Sequence, residues 1–160
     1  MPEQNLPGRG NWDGDILVRD YMTSSVNSLN EDACLLDAAL MIRHSGKRHV
    51  PVVTAEKKVV GIISDRDVSR LAPTMLARMT QEEYHRVLEG TPIKQVMTKN
   101  PITIAPGAPI AEAVAVLHAK KIGALLVVEN EKLVGILTTS DMLGLLHKLV
   151  AHHSPDPAAR

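Results

Sequence analysis

Short aliphatic runs alternate with amphipathic stretches along the chain, and the whole pattern occurs twice. Val18-Arg19-Asp20-Tyr21-Met22-Thr23 returns as Ile93-Lys94-Gln95-Val96-Met97-Thr98, position 93 against 18, an offset of 75 residues. At the same offset Ser28-Leu29 falls on Thr103-Ile104, and Val50-Pro51-Val52-Val53 on Leu125-Leu126-Val127-Val128. After a one-residue slip, Val60-Gly61-Ile62-Ile63-Ser64 meets Val134-Gly135-Ile136-Leu137-Thr138. Each copy predicts strand, helix, strand, strand, helix. The first helix of each copy carries an apolar stripe, Leu35/Ala39/Ile42 and then Ile110/Val114/Leu117. Pro109 suits the first turn of the second of these helices. The paired aliphatic runs that follow are rich in β-branched residues. They are joined by polar turns at residues 54–57 and 129–131, a hairpin signal.

This reading divides the chain into an N-terminal arm (1–15), a first repeat (16–72), a connecting helical linker (73–92), a second repeat (93–150) and a tail (151–160). Within the linker, Thr80-Gln81-Glu82-Glu83 is a capping-box pattern, so a short helix is predicted from Gln81 to Leu88, stopping at Gly90.

Composition narrows the function. The 160 residues carry 18 Lys+Arg against 18 Asp+Glu, and this neutrality argues against a nucleic-acid binder held by bulk charge. Hydrophobic residues make up 44 %, enough for a globular core. Aromatics are only 2 %, Trp12, Tyr21 and Tyr84 with no Phe, so a ring-shaped ligand must be gripped by aliphatic side chains. The single cysteine, Cys34, can form neither an internal disulfide nor a Cys-rich zinc site, and it reads as a small buried helix residue. No apolar run reaches membrane-spanning length and the first residues lack a signal-peptide pattern, which predicts a soluble cytoplasmic protein with no nucleic-acid or membrane partner.

Candidate chemistry lies where each second hairpin strand runs into a helix. Ser64 and Thr138 fall at N-cap positions, amid the free N–H groups of a helix N-terminus. Asp67 and Asp141 follow three residues later on the same helix face. A hydroxyl and a helix N-terminus suit a phosphate, and a carboxylate can accept both vicinal hydroxyls of a ribose. Equally, Ser64 and Thr138 can be plain caps, and the acids can serve only the helix dipole. Ser28 and Thr103 place a further hydroxyl upstream in each copy. Arg66 is positioned to pair with a phosphate or to stand as a solvated charge. His152-His153 has no acid or Cys nearby and implies no metal site. There is no Ser-His-Asp order, HExxH, phosphate-binding P-loop or Gly-x-Gly-x-x-Gly motif, so no enzyme is expected.

The Met-Thr lead-ins, Arg48-His49-Val50-Pro51-Val52, Ile122-Gly123-Ala124-Leu125 and the two Gly-x-x-Ser/Thr-x-x-Asp runs together resemble the CBS domain, in the tandem pair called a Bateman module. The resemblance spans roughly residues 16–150. It implies an α/β (α+β) fold, two β-α-β-β-α repeats packed about a pseudo-twofold axis with clefts between them. It also implies the family's common pairing into a flat homodimeric disc, and a regulatory rather than catalytic role.

 The clefts of this family often bind AMP, ADP or ATP, and in some members S-adenosylmethionine. Carried over by position, the resemblance implies Asp67 and Asp141 on the ribose hydroxyls, Ser64 and Thr138 on the phosphate, and Ser28 and Thr103 lining the site. Lys47, Arg48 and His49 in the first copy, and Ile122, Gly123 and Ala124 in the second, would meet the base. By charge the first copy, with Arg48, His49 and Arg66, dominates phosphate capture. By size the second offers the more open pocket. No cofactor is required, and any effector is expected on a separate chain; a ligand-free dimerisation scaffold is the alternative.

Overall fold

The computed structural model describes residues 16–76 and 79–152. The N-terminal arm and the tail beyond His152 lie outside the described residues. The first half holds α1 (Val18–Tyr21), β1 (Leu29–Asn30), α2 (Leu35–Ser45), β2 (His49–Val53), β3 (Val59–Ser64) and α3 (Asp65–Leu76). After the connecting helix α4 (Gln81–Gly90) come a 3₁₀ turn (Ile93–Gln95), β4 (Thr98–Lys99), β5 (Thr103–Ile104), α5 (Ile110–Lys120), β6 (Ala124–Glu129), β7 (Lys132–Thr138) and α6 (Thr139–His152). The α+β architecture is therefore two copies of one β-α-β-β-α unit. Helix α4 is capped as its sequence predicts: Glu83 N–H donates to Thr80 Oγ1 at 3.3 Å and Thr80 N–H to Glu83 Oε2 at 2.7 Å. Helix α3 runs through Pro73 to Leu76, so the stretch expected as linker begins inside a helix.

One sheet has the order β1-β2-β3-β4 and the other β5-β6-β7. In both, the short first strand runs parallel to the second, and the second and third form an antiparallel hairpin. The fourth strand of the first sheet, β4, comes from the second repeat and pairs Thr98 with Ile62. The reciprocal contact is the bridge between Thr23 and Ile136. The lead-in segments cross over in the same way: Leu17 bridges Pro109, and Pro92 bridges Cys34. Each of these four contacts maps onto its partner at the 75-residue offset or within one residue of it, which is the pseudo-twofold relation in residue terms.

The crossing explains the Met-Thr lead-ins. Met97 packs over Gly61 on β3, and Met22 over Gly135 on β7; a Cβ on Gly135 would stand 2.5 Å from Met22 Sδ. Each core is thus completed by the other repeat. Ile93, Val96 and Met97 pack with Leu35, Val50 and Ile63, while Val18, Tyr21 and Met22 pack with Leu117, Leu125 and Leu137. A third cluster of Ala124, Leu126 and Ile136 with Val26, Val59 and Ile62 lies between the two sheets. No polar or charged residue is buried among the described residues.

Two sequence expectations shift. The buried helical stripe runs through Leu35 and Ala38 in α2, and Ala113 and Leu117 in α5, whereas Val114 is 43 % exposed. Alanine at these positions lets the helix lie close to its sheet, so the small residue and not the larger neighbour faces inward. Cys34 is the half-buried N-cap of α2, not a buried residue within it; its N–H and thiol donate to Asp37 Oδ2 at 2.9 and 3.2 Å.

Candidate functional site

Both strand-to-helix junctions close the same local hydrogen-bond ring. Ser64 N–H and its hydroxyl donate to Asp67 Oδ2 at 2.8 and 2.7 Å, and Asp67 N–H donates back to Ser64 Oγ at 3.3 Å. Thr138 and Asp141 repeat this at 2.7, 2.7 and 3.3 Å. The capping role is therefore real in both copies. It engages one carboxylate oxygen of each Asp and leaves Oδ1 without a hydrogen bond among the described residues. The carbonyls of Arg48 and Gly123 brace the same junctions, accepting from Asp65 N–H at 3.0 Å and Thr139 N–H at 3.1 Å.

Two clefts open beside these rings. Cleft I, about 390 Å³, brings Ser64, Arg66, Asp67 and Arg70 of the first repeat against Asn100, Pro101 and Ile102 and against Ile122, Gly123 and Ala124 of the second. Cleft II, about 290 Å³, sets Thr138, Ser140 and Asp141 against Thr23 and against Lys47, Arg48 and His49. It adjoins a smaller hollow of about 40 Å³ lined by Val26, Asn27, Met41 and Lys47. A shallower hollow of about 490 Å³ lies between α1 and α6, where the Lys148 ammonium stands 5.6 Å from the centre of the Tyr21 ring. It shares Ser140 and Asp141 with cleft II but lacks Thr138 and the Lys47–His49 stretch, and is set apart on that ground.

The geometry changes the sequence picture in three ways. Ser28 and Thr103 line none of these clefts. Ser28 leads directly into β1, and Thr103 pairs with Leu126 within the sheet. The cleft walls use the residues just before them, Val26 and Asn27 or Asn100 to Ile102, because the mouth opens where the strand pairing has not yet begun. Second, the clefts do not divide by repeat. Asp67 faces the small residues of the second copy, and Asp141 faces the cationic stretch of the first. Third, Arg48 and His49 border both clefts, so the Arg48 charge does not belong to one of them. Arg70 was not singled out from the sequence, although its spacing of four from Arg66 places both on one helix face.

His49 lies against Gly123: a Cβ there would be 2.9 Å from both Cε1 and Nε2 of the imidazole. Burial lowers the His49 pKa below its ordinary value; Asp65 and Asp67 oppose this, and Arg48 and Arg66 reinforce it. Arg48, Arg66 and Arg70 form no ion pair among the described residues. Those residues also contain no cluster of three or more His, Cys, Asp or Glu able to hold a metal. No described helix is long and apolar enough to cross a membrane.

Comparison with known proteins gives the family. The CBS domain pattern matches residues 18–73 and 93–148. A CBS domain-containing protein from Dictyostelium discoideum is 31 % identical over 137 residues, which cover 84 % of this chain and 94 % of that protein. Other curated relatives are longer: the chain spans 26 % of a homoserine O-acetyltransferase from Methanosalsum zhilinae, at 28 % identity. Among solved structures, an acetoin utilization protein (AcuB) from Vibrio cholerae is 34 % identical with a TM-score of 0.70, covering 89 % of this chain and 98 % of that one. The CBS domain pair of protein MJ0100, solved with 5′-methylthioadenosine and S-adenosylmethionine, superposes with a TM-score of 0.72 at 23 % identity, over 85 % of this chain and 99 % of that one. CBSX2, solved with AMP, gives 0.69 at 22 % identity, over 84 % and 98 %. With the family pattern matched in both halves and carried on one crossed-over α+β fold, this chain belongs to the CBS domain family as a tandem pair.

Proposed function

We propose that the chain is a regulatory, non-catalytic module that binds adenosine-containing ligands, AMP, ADP or ATP, in clefts I and II and passes a change of shape to a separate partner protein. The observation that carries this is the ring seen twice. In each cleft the capping hydroxyl engages Oδ2 of the Asp and leaves Oδ1 to accept from the 2′ and 3′ hydroxyls of a ribose. The base lies among aliphatic groups, Ile62, Ile102 and Ile122 in cleft I, in keeping with the scarcity of aromatics. Arg48, Arg66 and Arg70 take the phosphates. MJ0100 and CBSX2, solved with adenosyl ligands, support the choice of ligand class. S-adenosylmethionine is the second reading, since it offers the same ribose, but it leaves the three arginines without a phosphate. The same proposal includes a cytoplasmic homodimer, with Leu143 and Leu146 of α6, 66 % and 53 % exposed, as the apolar surface available to a second copy.

Titration calorimetry with AMP, ADP, ATP and S-adenosylmethionine tests the reading. Asp67→Asn and Asp141→Asn keep an oxygen for the capping ring and replace the second carboxylate oxygen with an amide. Each should weaken its own cleft by about tenfold or more, the worth of a charged hydrogen bond. Absence of heat with all four ligands leaves the ligand-free scaffold as the better account, and full affinity in both variants would remove Asp67 and Asp141 from the binding site.

A further inference from the structure

Arg48, His49, Gly123 and Thr139 line both clefts. The wall between the two sites is therefore one layer of residues, and its one permanent charge, Arg48, comes from the first repeat. At the 75-residue offset Arg48 corresponds to Gly123 and His49 to Ala124, neither of which can bring a charge. A symmetric pair would give each cleft its own arginine at this place; here two clefts face one. We infer that the clefts draw on this single cationic wall, so that a phosphate-bearing adenosyl ligand in one weakens binding of the same ligand in the other, while adenosine without phosphate does not. The inference rests on the adenosyl reading above and concerns how its two sites are coupled.

The physical case has three parts. The backbone of Arg48 is held, its carbonyl accepting from Asp65 N–H at 3.0 Å, so only the guanidinium can choose a side. That guanidinium is exposed and has no ion pair among the described residues, so a phosphate in either cleft can claim it. Once claimed, it is lost to the other cleft, and a second anion then also meets the first across a thin wall. Cleft I has Arg66 and Arg70 besides Arg48, whereas cleft II has Lys47, with Ser140 in the place of Arg66. Cleft I accordingly fills first, and the antagonism rises with phosphate number. The coupling is reciprocal, as linkage requires.

The single-cleft variants make this measurable. Asp141→Asn, titrated below the concentrations at which its weakened cleft II fills, reports cleft I, and Asp67→Asn likewise reports cleft II, each with ATP and with adenosine. Two independent sites would give a wild-type isotherm equal to the sum of the two single-cleft isotherms. The expected result with ATP is a second step at least fivefold weaker than that sum predicts, the lower end of ordinary coupling. With adenosine the sum should hold within twofold. Arg48→Gln, a change at an exposed side chain, should bring the ATP isotherm within twofold of additivity, and raising salt should move the wild type the same way. Additive ATP isotherms, equal antagonism with adenosine, antagonism undiminished in Arg48→Gln, or a cleft that binds nothing in its single-cleft variant would each overturn the inference while leaving an adenosyl-binding protein in place. Absence of binding to the wild type would instead remove the adenosyl reading and this inference together.

Discussion

Gly135→Ala tests how the two repeats are joined. The new Cβ would lie 2.5 Å from Met22 Sδ, 3.1 Å from its Cγ and 3.2 Å from the Thr23 carbonyl oxygen. Ordinary non-bonded contact is about 3.5–4.0 Å, so the thioether must retreat by roughly 1 Å. It has little room, because Met22 packs into the cluster around Leu117, Leu125 and Leu137. The backbone cannot yield cheaply either: Thr23 N–H donates to the Ile136 carbonyl at 2.9 Å and Ile136 N–H to that of Thr23 at 3.0 Å. Overpacking of this kind costs about 1–3 kcal/mol. For a chain of this size each kcal/mol lowers Tm by about 2–4 °C, so a fall of roughly 4–8 °C is expected at the centre of that range. Calorimetric melting of the single variant, of Met22→Ala and of the pair completes a double-mutant cycle. Removing the thioether gives the new methyl its space, so the pair should be less destabilised than the sum of the singles by about 1 kcal/mol or more. A Tm within 1 °C of the parent, or strictly additive changes, would refute the packing of the Met-Thr lead-in over the opposite glycine.

Two further outcomes follow from local features. Because burial holds the His49 pKa below its unfolded value near 6.5, the unfolded chain binds the extra proton more readily. This contribution to stability is complete above pH 6.5 and is lost as pH falls from there through the lowered folded pKa. Denaturant melts at pH 7.5 and 5.5 should show the loss, and His49→Gln should reduce it; an unchanged pH slope in that variant would assign the effect to other groups. Lys121 ends α5 in the left-handed region at φ 53, where the equivalent position after α2 is Gly46 at φ 65. Lys121→Gly removes a strain of about 1 kcal/mol, partly offset by glycine's larger unfolded-state entropy, and Tm should rise by about 1–3 °C. A fall in Tm would show that the lysine conformation carries no such cost.

What was legible in the sequence was what happens within a few residues or by plain repetition. The Thr80–Glu83 box, the Ser64–Asp67 and Thr138–Asp141 caps and the two hairpins are made of groups that meet through local geometry, so their residue types reveal them. Even here the inward helix position was misplaced, because Ala113 is chosen over Val114 by the distance to the sheet and not by hydrophobicity. Cys34 likewise reads as a buried side chain until Asp37 is seen to complete a cap with it.

By itself, then, the sequence determined the duplicated unit, the capping motifs and the residues proposed to hold a ribose and a phosphate. Only the tertiary structure decided which of them share a cleft. Two equivalent hairpins present equivalent edges, and nothing in local sequence says which edge takes Thr98 or Thr23; long-range packing of Met97 on Gly61 and Met22 on Gly135 decides it. Once the lead-ins cross, Asp67 faces Gly123 and Asp141 faces Arg48. The charge that the sequence assigned to one repeat then becomes a wall common to two sites.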